Sequence, residues 1–180
     1  MSLFAEYDPL RHGGPTPAGL STRPATVGDV PALAAIRAAR DGIPEGEAAA
    51  VFARQLASAA AGRALVLVAV LDDAPVGYAV AERLAIPGLP EGWYLTGVVV
   101  APAHRRQGIA ARLTRARLGW VAARDRRAHY FTNERNRASL DLHARFGFRE
   151  LVRGLDVPGL TFAGGVGLLL GVDLPARGDA

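Results

Sequence analysis

The chain has 180 residues, half of them hydrophobic, which is enough for one well-buried core and does not call for a second domain. It contains no cysteine, which excludes disulfides, thiolate metal sites and a sulfur nucleophile, and fits a reducing compartment such as the cytoplasm. All 21 lysine-or-arginine positions are arginine and the formal net charge is +4; residues 101–153 hold 13 arginines against Asp125, Glu134, Asp141 and Glu150. That local excess points to a polyanionic ligand, with nucleic acid as the rival reading. No apolar run reaches the 18 residues of a membrane span.

Residues 1–18 read as a flexible leader: Gly13, Gly14, Pro15 and Pro17 interrupt it, and it has no apolar stretch of signal-peptide length. Residues 19–175 are the expected domain and 176–180 a flexible tail. Residues 20–24 have strand character. The helix after them can be capped by Thr26 or Asp29, with Pro31 in its first turn and Leu33 and Ile36 on its apolar face. Asp41-Gly42-Ile43-Pro44 breaks it, and an alanine-rich helix over 45–61 carries no evident chemistry. The apolar run 64–71, a turn at Asp72-Asp73-Ala74-Pro75 and a returning run at 76–83 predict a hairpin in which Tyr78, Val80 and Glu82 share a face. A third strand follows over 93–100. Past Gly108, a helix sets Ile109, Leu113, Ala116, Trp120 and Val121 inward, with Arg112, Arg115 and Arg124 turned to solvent. The strand at 128–132 lies one crossover from 93–100, so these two are expected to be parallel neighbours. A helix over 138–145, a strand over 148–155 and a glycine-loosened strand over 161–174 close the domain. The order β-α-α-β-β-β-α-β-α-β-β predicts a single α+β domain around a mixed central sheet.

The stretch from Ala101 to Ala111 joins a buried strand to a helix through a short basic turn holding Gly108. Free backbone N–H groups and the positive end of the helix dipole converge at such a junction, which makes it an anion cradle. Gly108 lets the backbone approach a phosphate without a Cβ in the way, and Ala110 and Ala111 keep the first turn open. Arg105 and Arg106 can add charged contacts.

Three features in this order resemble the GNAT superfamily of acyl-CoA-dependent N-acyltransferases. Val100-Ala101-Pro102 precedes Arg105-x-x-Gly108-x-Ala110, similar to the family's Arg/Gln-x-x-Gly-x-Gly/Ala signature. Asn136 is followed eleven residues on by Gly147-Phe148, similar to the family's segment of asparagine followed by YxxxGF, and a helix pair precedes the meander. The resemblance implies acetyl-CoA as cosubstrate and no metal. It assigns the backbone of Val98, Val99 and Val100 to the pantetheine arm, Arg105, Arg106, Gln107, Gly108, Ile109, Ala110 and Ala111 to the pyrophosphate, and Asn136 to the cofactor, although Asn136 also suits a helix N-cap.

Attack of an amine on a thioester needs a base for the amine proton, polarisation of the carbonyl and stabilisation of the leaving sulfur. Where the family commonly has a tyrosine acid, seven residues after its asparagine, this chain has His143. The imidazolium could protonate a thiolate whose acid has a pKa near ~8.5; at neutral pH an unperturbed histidine is mostly neutral. Glu82 is the best-placed carboxylate for the base. Tyr94 and Thr96, on one strand face, can bind substrate or hold a relaying water. Some protein-acetylating relatives place a glutamate where this chain has Phe131, which argues against transferring their mechanism. The reading is a cytoplasmic N-acetyltransferase of a small-molecule or peptide amine, acting by direct attack, with no membrane partner and a homodimer left open. A non-catalytic acyl-CoA-binding module is the alternative. A nucleic-acid-binding domain ranks below both, for want of a recognisable motif.

Overall fold

The computed structural model describes residues 14–157, 161–162 and 164–175. Its elements run β1 (Ser21–Pro24), α1 (Val30–Asp41), α2 (Glu45–Ala60), β2 (Ala64–Leu71), β3 (Ala74–Leu84), β4 (Gly92–Val100), α3 (Ile109–Ala122), β5 (Arg127–Asn133), α4 (Arg137–Ala144), β6 (Arg149–Arg153) and β7 (Gly167–Asp173). This is the element order expected from the sequence. Among the described residues the seven strands form one sheet in the order β1-β2-β3-β4-β5-β7-β6. Every neighbouring pair is antiparallel except β4 and β5, which are parallel as their crossover length predicts.

Local chemistry explains most boundaries. Asp72 and Asp73 both adopt positive φ, 49° and 61°, and close a two-residue hairpin between Leu71 and Ala74, the backbone hand that suits the twist of the flanking strands. Asp29 accepts hydrogen bonds from the Thr26 N–H (2.7 Å) and hydroxyl (3.0 Å) and pairs with Arg23, which locks the entry to α1. Gly42 ends α1 in the left-handed conformation at φ 69°.

Two segments differ from expectation. The strand expected over 148–155 ends at Arg153, just before Gly154 at φ 80°. The strand expected from residue 161 begins only at Gly167, because the chain turns at 162–165: the Gly165 N–H donates to the Phe162 carbonyl at 3.1 Å, and Gly164 sits at φ 67°. Residues 158–160 and 163 lie outside the described residues, as do 1–13 of the leader and 176–180 of the tail.

The sheet buries both faces. One packs Leu65, Leu67, Ala79, Ala81, Trp93, Leu95 and Tyr130 against Ile109, Leu113, Leu118 and Val121 of α3. The other sets Val66, Val68, Tyr78, Val80 and Val99 against Leu33 of α1 and Phe52 of α2. On that second face, Tyr94 and Leu169 pack with Leu155 and Val157 of the segment after β6.

The feature that makes a site is a break in the middle of the sheet. β4 and β5 pair only at Trp93–Ala128 and Tyr94–His129. At the same level the β3–β4 register slips: Val80 faces Gly97 but Glu82 faces Tyr94, so β4 carries an extra residue there. A bulge of this kind bends its strand and increases the local twist. Beyond it β4 stays with β3 and leaves β5, and Thr96, Gly97 and Val98 become partly exposed at the centre of the sheet.

Gly77 holds β3 against the far end of this strand: a Cβ there would lie 2.7 Å from the Val99 carbonyl oxygen. Gly77→Ala is expected to cost about 1–3 kcal/mol of stability, as overpacking does, read by urea unfolding. Stability equal to the native chain would show that β3 and β4 can separate at no cost.

Candidate active site

β4 runs out of the break into the basic turn. A 3-10 turn over Pro102–His104 is followed by Arg106 at φ 64° and Gly108 at φ 71°. A left-handed arginine is uncommon, and such strain gathers at functional loops. Gly108 caps α3 and its carbonyl accepts the Arg112 N–H at 3.0 Å, so the N–H groups of Ile109, Ala110 and Ala111 have no partner within the helix. Those N–H groups and the helix dipole form the anticipated cradle. The end of the leader docks on it: the Gly14 N–H donates to the Arg106 carbonyl at 2.7 Å, and a Cβ on Gly108 would come within 3.0 Å of the Thr16 hydroxyl oxygen. A pocket of about 400 Å³ lies alongside, lined by Thr16, Gly108, Ala111, Arg112 and Arg115.

The candidate cofactor residues divide by what they expose. Val98 and Val100 are partly open, whereas the Val99 and Ile109 side chains are core, so only their backbones face the break. Arg105 folds back to donate from Nε to the Val100 carbonyl at 3.3 Å. Gln107 and Ala110 are partly buried in the turn and the first helical residues. Asn136 is the N-cap of α4, its Oδ1 accepting the Ser139 N–H at 3.3 Å.

On the α1–α2 side of the sheet, Glu82 stands next to the bulge. Its Oε2 accepts the Thr96 hydroxyl at 2.5 Å and the amide of Gln55 at 3.4 Å. Glu82 and Thr96 are thus brought together, and Gln55 joins them from α2, a helix in which the sequence had shown no chemistry. Tyr94 does not reach this group. It is fully buried, its ring packs on His129 and Phe131, and its hydroxyl donates to the Pro90 carbonyl at 2.6 Å, so the expected substrate contact is withdrawn.

His143 lies inside the core rather than on the surface of α4. It is 3% exposed, stacked on Tyr130 with ring centroids 4.0 Å apart, and its Nδ1 lies 2.9 Å from the Ser139 carbonyl. A bond to a carbonyl requires the proton on Nδ1, which leaves Nε2 as a bare acceptor. Burial, reinforced by the positive charge of Arg117, pushes the imidazole down to about 3. At neutral pH His143 is therefore a neutral imidazole whose one proton is engaged on the Ser139 carbonyl, which corrects the expectation that its imidazolium serves as acid.

Arg117 was missed. It lies on the stripe Ile109–Leu113–Arg117–Val121, whose four-residue spacing would have placed it inward. The side chain is wholly buried with no carboxylate against it among the described residues. It donates to the Val80 carbonyl at 3.0 Å, the Gly97 carbonyl at 2.7 Å and the Thr114 hydroxyl at 3.1 Å. Burial lowers its pKa to about 9, which keeps the guanidinium charged at neutral pH.

Sheet, bulge and basic turn together define an α+β domain in which a split strand pair runs out beside a helix N-terminus. The acetyltransferase (GNAT) family model matches residues 33–148, more than half the chain, and the protein belongs to that family. That family is one of acetyltransferases. Among solved structures, a ribosomal L7/L12 α-N-protein acetyltransferase (RimL) in complex with coenzyme A is 16% identical, aligned over 91% of this chain and 98% of that one with a TM-score of 0.70. The ribosomal-protein-S18-alanine N-acetyltransferase of Escherichia coli is 16% identical over 89% and 97% (TM-score 0.66). A phosphinothricin acetyltransferase of Sinorhizobium meliloti in complex with acetyl-CoA is 16% identical over 87% and 89% (TM-score 0.66). At these identities the likeness is one of fold. No curated protein matches the sequence.

Because His143 titrates lower in the folded chain than in the unfolded one, where it stays near ~6.5, its contribution to stability is present above pH ~6.5 and is lost as the pH falls toward its folded value. The loss has a limiting slope of about 1.4 kcal/mol per pH unit. His143→Phe should flatten the fall in unfolding free energy between about pH 6 and 4. His129, pushed down by its own burial, adds a slope of the same sign that the variant keeps. An identical pH profile in the variant would mean that His143 is protonated in the fold.

Proposed function

We propose that this chain is an N-acetyltransferase that moves the acetyl group of acetyl-CoA to a primary amine of a small molecule or peptide by direct attack, in the cytoplasm. The observation that carries the reading is the parting of β4 from β5 immediately before the cradle. It leaves the backbone polar groups of residues 96–100 without their β5 partners and directs them toward an anion site. The fit to acetyl-CoA rests on chemistry present in the chain. Glycine stands at a left-handed position where a Cβ would press on Thr16, N–H donors are free at a dipole end, and Arg112 and Arg115 border the adjoining pocket. When bound, acetyl-CoA supplies the activated thioester carbonyl.

The protein's own groups do the rest. The N–H groups of Gly108, Ile109, Ala110 and Ala111 hold the pyrophosphate, with Arg105, Arg106 and Gln107 around the turn. The strand edge at Val98, Val99 and Val100 orients the pantetheine arm, and Asn136 closes the site from the start of α4. Glu82 takes the amine proton, directly or through a water held by Thr96; the hydrogen bonds from Thr96 and Gln55 fix which carboxylate oxygen is free. The second reading, a binding module without turnover, is favoured by one observation, the burial of His143 with its Nδ1 against the Ser139 carbonyl where the family commonly has a tyrosine.

Titration calorimetry with acetyl-CoA should show saturable one-site binding, and Gly108→Glu should abolish it through clash and like-charge repulsion. Binding that survives in that variant would refute the cradle. Glu82→Gln should lower kcat over an amine panel by about 100-fold or more, with the KM for acetyl-CoA unchanged. Thiol release absent from the native protein with every amine, despite tight binding, would favour the binding module.

A further inference from the structure

A guanidinium buried without a counter-ion is among the most costly side chains a core can hold, and it persists only where its hydrogen bonds and its charge are both used. Arg117 has no carboxylate within reach among the described residues, yet replacing it by a hydrocarbon would leave the Val80 and Gly97 carbonyls without its hydrogen bonds. Those two carbonyls belong to the register slip between β3 and β4, so Arg117 holds the bulge from behind. Its Nε–H is buried and has no partner among the described residues. Two more orphaned polar atoms share this side of the sheet, His143 Nε2 and the Tyr130 hydroxyl, and the two rings carrying them are stacked. The charge of Arg117 is felt at His143. The cation thus stands between α3, the partly exposed stretch 96–98 of β4, and His143, the side chain at the acid's position, whose one proton is engaged on the Ser139 carbonyl.

We propose that Arg117 replaces the missing general acid: its guanidinium stabilises the departing coenzyme A sulfur as a thiolate, so that no protein group has to protonate it. This deepens the acetyltransferase reading and rests on it. As the amine nitrogen attacks the thioester carbonyl, the N–C bond forms and the C–S bond breaks, and the electron pair leaves on sulfur beside the cation. The amine proton goes to Glu82 or its water, and the thiolate collects a proton from solvent on release. The titratable groups facing this region are Tyr130 from β5 and His143 from α4. β3 and β4 present carbonyls there, and Glu82 lies on the opposite face with Gln55 and Thr96.

The test reads the thiol rather than turnover. Coenzyme A bound to the intact protein is titrated by its ultraviolet thiolate absorbance, with desulfo-coenzyme A as the blank for tyrosine ionisation. The bound thiol should ionise about one pH unit or more below the ~8.5 of a free thiol. Arg117→Leu and Arg117→Met should return it to the free value or above, and Arg117→Lys should keep part of the shift. A bound thiol in the native protein that titrates at or above the free value overturns the proposal, whether or not any variant folds. So does a Leu variant that keeps the full shift. Failure of coenzyme A to bind, seen by calorimetry beforehand, overturns the acetyltransferase reading itself.

Discussion

Everything distinctive about this fold follows from β4 having two different neighbours along its length. Near its start it is an interior strand, paired on both edges; past the bulge it is an edge strand in the middle of a sheet. Unpaired backbone groups inside a protein have to be satisfied somehow, and the chain uses two devices. On the side of α3, Arg117 reaches in to take two strand carbonyls. On the open side the groups are left for a ligand. The sheet is seven strands wide, yet its chemistry is confined to the few residues over which one hydrogen-bond ladder is interrupted.

Electrostatically the two faces of that interruption are opposite. The α1–α2 side presents the Glu82 carboxylate, which gathers a hydroxyl and an amide around one oxygen. The α3–α4 side presents a buried cation, a neutral imidazole and a phenol whose burial raises its pKa well above the usual range. Negative charge is handled on one face and accommodated on the other, with β4 between them. An amine losing a proton and a sulfur gaining an electron pair need environments of that opposite kind.

How much of this could be read in the chain depended on whether the signal was local. The helix starts and stops, the Asp72-Asp73 hairpin and the strand–turn–helix junction at Gly108 announce themselves within a few residues, and all were legible. The bulge was not: Leu95-Thr96-Gly97 reads as ordinary strand, and only the register against Val80 and Glu82 reveals the extra residue. Gln55 looked like one more polar position on an alanine-rich helix, because its partner is 27 residues away. Arg117 was legible in principle from its place on an apolar stripe, but a chain so rich in arginine makes a single inward one easy to overlook. His143 was found by its spacing from Asn136, and its burial against Tyr130 and Phe148 is a tertiary fact that spacing does not contain.

The exclusive use of arginine has a chemical corollary. A guanidinium stays protonated throughout the ordinary pH range and is a poor nucleophile toward thioesters, whereas a lysine amine exchanges protons readily and reacts with them. Residues 101–153 hold 13 arginines and no lysine, so an acetyl-CoA bound at the Gly108 turn, as proposed, would meet positive charge there and no side-chain amine to modify. On that proposal the phosphates are held by groups that the acetyl group cannot consume, and the reagent is kept for an amine that arrives from outside.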